Sequence, residues 1–130
     1  MKVEKQLAVF LANKPGTLAQ VIQVLAKKGI NIEAITVSDT VDHAVVRIVV
    51  SDATRALHLL GDAGVLVVES DVLVLELPNK PGALAKVAQK LAAAKVNIEY
   101  LYGSGSPGQQ KGLVVVRTTN RRKAMQVLKG

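Results

Sequence analysis

The chain of 130 residues contains no cysteine and no tryptophan, and only one phenylalanine and two tyrosines. Without cysteine there can be no disulfide and no thiolate metal site, which suits a reducing cytoplasm, the compartment we expect. The scarcity of rings weighs against binding of single-stranded nucleic acid, which relies on several stacking aromatics. Also missing is a long uninterrupted apolar segment, so the sequence reads as having neither signal peptide nor membrane span. Acidic residues are few, ten against 17 Lys and Arg, for a net charge of +7. Such an excess invites a nucleic-acid reading, but with so few aromatics it reads first as solvated surface. What is abundant is aliphatic. Hydrophobic residues make up 49% of the chain, enough to pack one ordinary domain or two small ones and to exclude disorder.

The patterning divides into recognisable elements. Leu7, Val9 and Leu11 alternate with Ala8 and Phe10, as in a strand. Leu18, Val21, Ile22 and Leu25 then recur at helical spacing, with Lys27 and Lys28 near the end and Gly29 to stop the helix. Residues 30–38 read as a second strand, 39–42 as a turn including Val41, and 44–50 as a returning third strand. Ser51 or Asp52 is placed to cap a second helix with Ala53, Ala56, Leu57 and Leu60 inward, which Gly61 and Gly64 end. Residues 65–68 make a fourth short strand. The order βαββαβ is the split βαβ, or ferredoxin-like, arrangement.

The pattern then restarts, with a strand at 72–77, a helix carrying Leu84, Val87, Ala88 and Leu91, strands at 97–102 and 113–118, and a last helix capped by Asn120. Leu11–Glu33 and Leu77–Glu99 are identical at 14 of 23 positions, so this is a tandem repeat. The predicted class is α+β, with domains at 1–70 and 71–130. The second copy ends without a fourth strand of its own, which would leave strand 72–77 as a bare apolar edge. The third strands carry apolar residues on both faces (Val45, Val46, Ile48 and Val49; Val114, Val115 and Val116), so something must also cover their second face. Both features point to a homodimer, although the two domains of one chain could cover each other instead.

The most informative words occur twice. Asn13-Lys14-Pro15-Gly16-Thr17-Leu18 and Asn79-Lys80-Pro81-Gly82-Ala83-Leu84 each join a strand to a helix. Pro15 and Pro81 suit a first helical turn, and Gly16 and Gly82 allow a sharp bend and close approach. The first N–H groups of each helix lack partners inside it and sit at the positive end of its dipole, a good seat for a carboxylate. Asn13 and Asn79 can cap the helix or turn an amide toward a ligand. The plainer reading is a well-made helix start with no ligand. A second repeated word, Asn31-Ile32-Glu33 against Asn97-Ile98-Glu99, opens the second strand of each copy. Asn31 is expected beside Asn13, so that two amides and free N–H groups converge on one amino acid.

These two words together resemble an ACT domain, a small ligand-binding module of amino-acid metabolism, and within that family the regulatory subunit of acetolactate synthase and stand-alone tandem ACT proteins. The resemblance spans essentially the whole chain. It implies two ferredoxin-like ACT domains that associate side by side and bind amino acids at their interfaces, with branched-chain side chains favoured by analogy. Carried over, the ligand-binding set is Asn13, Pro15, Gly16, Thr17, Leu18, Asn31 and Ile32, and Asn79, Pro81, Gly82, Ala83, Leu84, Asn97 and Ile98. No catalytic domain accompanies them, so a regulated enzyme would be a separate chain.

Other candidates are weaker. His43 and His58 have no third ligand nearby in sequence, and we expect neither metal nor cofactor. No Ser-His-Asp or paired-carboxylate arrangement recurs, and the first turn offers Lys14 rather than the Arg with which acylphosphatases of this topology hold phosphate; the chain reads as non-enzymatic. Tyr100 and Tyr102 share a strand face like the stacking pair of an RNA-recognition motif, but the first copy has Ala34 and Thr36 there, so core or interface suits them better. Lys80, Lys86 and Lys90 read as solvated stems. Arg121-Arg122-Lys123 crowd a helix N-terminus against the dipole, which an anionic partner would relieve. The alternatives to an amino-acid sensor are a nucleic-acid module and a purely structural dimerisation subunit.

Overall fold

The computed structural model describes residues 1–40 and 42–129; Val41, within the expected 39–42 turn, lies outside the described residues. In chain order the elements are β1 (Lys2–Ala12), α1 (Thr17–Lys27), β2 (Ile32–Asp39), β3 (His43–Val50), α2 (Ala53–Asp62), β4 (Leu66–Pro78), α3 (Ala83–Ala93), β5 (Ile98–Ser104), β6 (Lys111–Thr118) and α4 (Arg121–Leu128). They form two compact units, Lys5–Ser70 and Met1–Glu4 with Asp71–Gly130. Two expectations change here. The strands read at 65–68 and 72–77 are one 13-residue strand, β4, with no turn at Ser70. Residues 1–4, read as part of the first repeat, group with the second unit.

In the unit Lys5–Ser70 the strand order is β2-β3-β1-β4. Both partners of β3 run antiparallel to it, with Leu7 opposite Ile48, Val9 opposite Val46 and Val37 opposite Val46. Alternation puts Leu7, Val9, Val46, Ile48 and Val50 on one face, where Val21 and Leu25 of α1 and Ala56 and Leu60 of α2 cover them. Leu7, Val9, Leu25, Ala56 and Leu60 have no solvent exposure at all, and each buried aliphatic side chain of Val or Leu size contributes roughly 1.5–3 kcal/mol. Asp52, rather than Ser51, caps α2 by accepting from the Arg55 N–H at 3.1 Å. The hydroxyl of Ser51 instead accepts from the Asn31 N–H at 3.0 Å. Gly61 lies inside α2, and Gly64, at φ +81°, follows its end.

The second unit repeats the plan in the order β1-β4-β6-β5. Leu73, Leu75 and Val116 face Val87 and Leu91 of α3 and Ala124 of α4. The fourth-strand position that the repeat itself does not supply is taken by residues 2–4 of β1. The expected bare edge is therefore absent: Val72, Leu73, Val74 and Leu75 are between 1% and 5% exposed. On the strand face away from the helices, Val49 and Val115 are each 1% exposed. The unmet apolar surface expected at the third strands is thus already buried at these positions.

Where α1 and α3 end, the same hydrogen bonds form on unequal residues. Gly29 at φ +71° donates to Ala26 and Ile30 to Leu25; Lys95 at φ +59° donates to Ala92 and Val96 to Leu91. This paired closure satisfies the last helical carbonyls. It is strong enough to hold a lysine in the left-handed region that glycine prefers.

Candidate functional site

Each Asn-Lys-Pro-Gly word forms a turn that leaves its strand and enters its helix two residues after its proline. The N-cap residues are Gly16 and Gly82, at φ +90° and +91°, and neither helix start carries a side-chain cap. Pro15 and Pro81 belong to the turn before the helix, not to its first turn. The asparagines do not cap either. The Asn13 N–H donates to Asp42 at 3.0 Å and its Nδ2 to Thr40 at 3.3 Å. The Asn79 N–H donates to Gln110 at 2.8 Å, and its Nδ2 to Ser106 at 3.1 Å and Gln109 at 3.0 Å. Both side chains therefore tie the turn to the far end of the neighbouring hairpin. With both Nδ2 hydrogens of Asn79 used, its Oδ1 is held in place as the acceptor that remains.

Thr17 adds a brace in the first copy only, its hydroxyl donating toward Ala12 at 2.8 Å and Lys14 at 3.1 Å. Ala83 replaces it in the second, where the Ala83 N–H reaches Lys80 at 3.4 Å. Among the described residues the N–H groups of Gly16, Thr17 and Leu18, and of Gly82 and Leu84, have no protein acceptor. The helix start thus presents donors outward, as an anion site requires.

The second turn also lines a cavity of about 320 Å³ with Leu77, Pro78, Asn79, Lys80, Ala83 and Leu84 on one side. The other side is the β5–β6 hairpin: Gly103, Ser104, Gly105, Gly112, Leu113 and Val114. That volume lies at the small end of the 300–1,000 Å³ range of ligand sites. Sequence reasoning missed the hairpin wall. The signal available was the run Gly103-Ser104-Gly105-Ser106-Pro107-Gly108 between the strands expected at 97–102 and 113–118, which is pinned to Asn79 through Ser106 and the following Gln109.

Asn31 and Asn97 are elsewhere. Each lies just before its strand, its N–H donating to the hydroxyl of Ser51 or Thr119 and its carbonyl accepting from the N–H of the same residue. Because β1 and β2 both run antiparallel to β3, they are parallel to each other. The turn after β1 therefore sits at the opposite end of the sheet from the start of β2. The length of the eight-residue β2 separates Asn13 from Asn31, roughly 25 Å. The expected convergence within one domain does not occur; Ile32 and Ile98 instead pack against the cores of their units. Glu33 and Glu99 mark a register shift in each copy and are exposed, with Glu99 at 3.5 Å from Arg117. His43 and His58 are exposed as well.

A Cβ at Gly16 or Gly82 would meet no atom within 4 Å, so strain rather than collision sets the effect of a substitution. Gly16→Ala and Gly82→Ala are each expected to cost about 1–2 kcal/mol, the penalty of left-handed backbone for an L-residue. Urea denaturation midpoints measure this. An unshifted midpoint would show that the turn relaxes out of the left-handed region.

Comparison with known proteins follows the same lines. A family model described as an ACT domain pair matches residues 1–129. A structure from Bacteroides thetaiotaomicron is 42% identical, with a TM-score of 0.92 over 98% of this chain and 87% of that one. The ligand-free regulatory subunit of aspartate kinase from Thermus thermophilus is 20% identical, with a TM-score of 0.73 over 99% of this chain and 96% of that one, and shares the fold. No curated protein matches the sequence. Two copies of one turn, two ferredoxin-like units and a match over nearly every residue place this chain in the ACT domain family, as an ACT domain pair.

Proposed function

We propose that the protein is a non-enzymatic, cytoplasmic regulatory protein that binds a small amino acid at its Asn-Lys-Pro-Gly turns and passes occupancy to a separate enzyme of amino-acid metabolism. The observation that carries this is the second turn, whose helix start leaves the N–H groups of Gly82 and Leu84 without a protein acceptor and whose Asn79, Lys80, Ala83 and Leu84 line a cavity of about 320 Å³. The α-carboxylate would take those N–H groups, Asn79 Oδ1 would accept from the ammonium, and Leu77, Leu84 and Val114 would meet an apolar side chain. The first turn offers the equivalent donors at Gly16, Thr17 and Leu18. The name of the Thermus structure, a regulatory subunit of aspartate kinase, supports an amino-acid-pathway kinase as the kind of enzyme controlled.

Asn31, Ile32, Asn97 and Ile98 enter this reading only through a second copy, because within one domain they are a strand's length from the turn. A homodimer that brings the strand start of one copy to the turn of another would complete the site. Edge strand β2 supplies apolar surface for such pairing, with Ile35 42% and Val37 48% exposed.

A thermal-shift screen of the twenty amino acids tests the proposal, with light scattering on the same samples. A ligand at a hundred times its dissociation constant adds about 2.7 kcal/mol per site, so one or a few amino acids should raise the melting temperature by several degrees. The particle should be near twice the 13.7 kDa of one chain. Absence of a shift with every amino acid would refute the sensor reading, and a stable particle of single-chain mass would refute the dimer.

A further inference from the structure

The two units are near-copies in fold but not in charge. Lys5–Ser70 carries six Lys and Arg against six Asp and Glu, a net charge of zero. Met1–Glu4 with Asp71–Gly130 carries eleven against four, so the whole +7 of the chain resides there. The excess gathers on the helices. Neither α3 nor α4 contains an acidic residue, whereas α3 bears Lys86 and Lys90 and α4 opens on the exposed Arg121, Arg122 and Lys123. General surface solubility would not confine charge to one of two homologous copies, so the first unit serves as an internal control.

A groove runs beside the lysines of α3. It has a volume of about 410 Å³ and an aliphatic floor that includes Leu75, Val87 and Leu128, with Lys80, Lys86 and Lys90 on its walls. One acid shares the lining, Glu76, and it is paired with Lys111 at 4.0 Å. The matching groove of the first unit, about 390 Å³, has Gln20 where this one has Lys86 and Val24 where it has Lys90, leaving Lys27 as its single cation. The fold supplies the groove in both copies; only the second surrounds it with positive charge.

We propose that the α3–α4 groove of the second unit docks a segment of another protein that carries acidic side chains around an apolar anchor. The anchor fills the aliphatic floor, and the carboxylates meet Lys80, Lys86 and Lys90 on its walls. A concave floor without aromatic rings suits an inserted apolar side chain, not stacked bases. A membrane surface would call for protruding apolar side chains rather than a recess. The inference takes from the regulatory reading only the existence of a protein partner, and its test contains no free amino acid, so the two can fail independently.

The test is fluorescence anisotropy of the full chain with a labelled peptide of Glu and Leu in helical alternation. A Glu and Ser peptide, a labelled single-stranded oligonucleotide and phosphatidylglycerol vesicles are the competitors. The Glu and Leu peptide should bind best, more weakly as salt rises. Lys86→Glu should weaken it about tenfold, as reversal of an exposed pair can. Lys86→Gln, which installs what the first unit already has at Gln20, should weaken it less, and Lys27→Glu in the first unit should leave it unchanged. Equal binding of the Glu and Ser peptide would show charge without a groove. Preference for the oligonucleotide or vesicles would assign the surface to another class of partner. Indifference to Lys86→Glu in a variant of unchanged melting temperature would place the peptide elsewhere. Any of these three results overturns the proposal.

Discussion

A chain that lacks residues 1–4 is expected to aggregate at micromolar concentration and to lose at least about 3 kcal/mol of stability. Those residues stand in the fourth-strand place of the second unit, beside β4. Without them β4 presents unpaired N–H and C=O groups along a segment, Val72–Leu75, that is now 1–5% exposed. That segment is flat, aliphatic and free of charge, the composition most prone to pair with another chain. Loss of a few ladder hydrogen bonds, at roughly 1 kcal/mol each, sets the lower bound, and the apolar area returned to water adds to it. Size-exclusion chromatography with light scattering, and denaturant titration where the sample permits, would follow the change. A truncated chain that stays monodisperse with an unshifted midpoint would show that β1 does not protect this edge.

The second large effect is expected at the repeated core leucines. Leu25 and Leu91 occupy equivalent positions in α1 and α3, and both have zero solvent exposure. Each belongs to a buried cluster that joins residues of two strands and both helices of its own unit. Leu25→Ala and Leu91→Ala should each cost about 2–5 kcal/mol, the transfer term plus the cavity left in a packed site. Against a total stability of about 5–15 kcal/mol for a domain, either change approaches the threshold of unfolding. Leu→Met at the same positions keeps the volume and should cost less than about 1.5 kcal/mol. Equilibrium denaturation in urea would rank the four variants. A cost below 1 kcal/mol for either alanine would mean that the surrounding core collapses onto the space.

Much of this was legible because it is local. Alternation at Leu7, Val9 and Leu11, helical recurrence at Val21 and Leu25, and duplication of the turn words each depend only on residues close in sequence. Asp52 and Asn120 as N-caps follow the same rule, for a cap is decided by the residue and the next turn of helix. Errors arose where a local preference had a long-range competitor. Asn13 and Asn79 are good capping residues, yet Thr40 in one copy and Ser106 with Gln109 in the other engage their amides. Glycine at positive φ then takes the N-cap instead. Pro15 and Pro81, suited to a first helical turn, stand two residues before its first residue.

Strand direction accounts for the misplaced Asn31. Two repeated words separated by one helix look adjacent in sequence, but a helical crossover returns the chain to the other end of the sheet before β2 begins. Periodicity carries no information about that return; only the pairing of β1 and β2 with the same antiparallel neighbour does.

By itself the sequence determined the two ferredoxin-like repeats, the two helix-start turns and the inward Val21, Leu25, Ala56, Leu60, Val87 and Leu91, though not Leu84, which is 44% exposed, because hydrophobic period and turn chemistry act over a few residues. Tertiary structure decided the rest: which strand fills the fourth place of the second unit, that β4 runs unbroken through Ser70, that the asparagine amides bind hairpins, and that a lysine-walled groove lies between β4, α3 and α4. These depend on contacts between residues far apart in the chain, whose free energy no local pattern encodes.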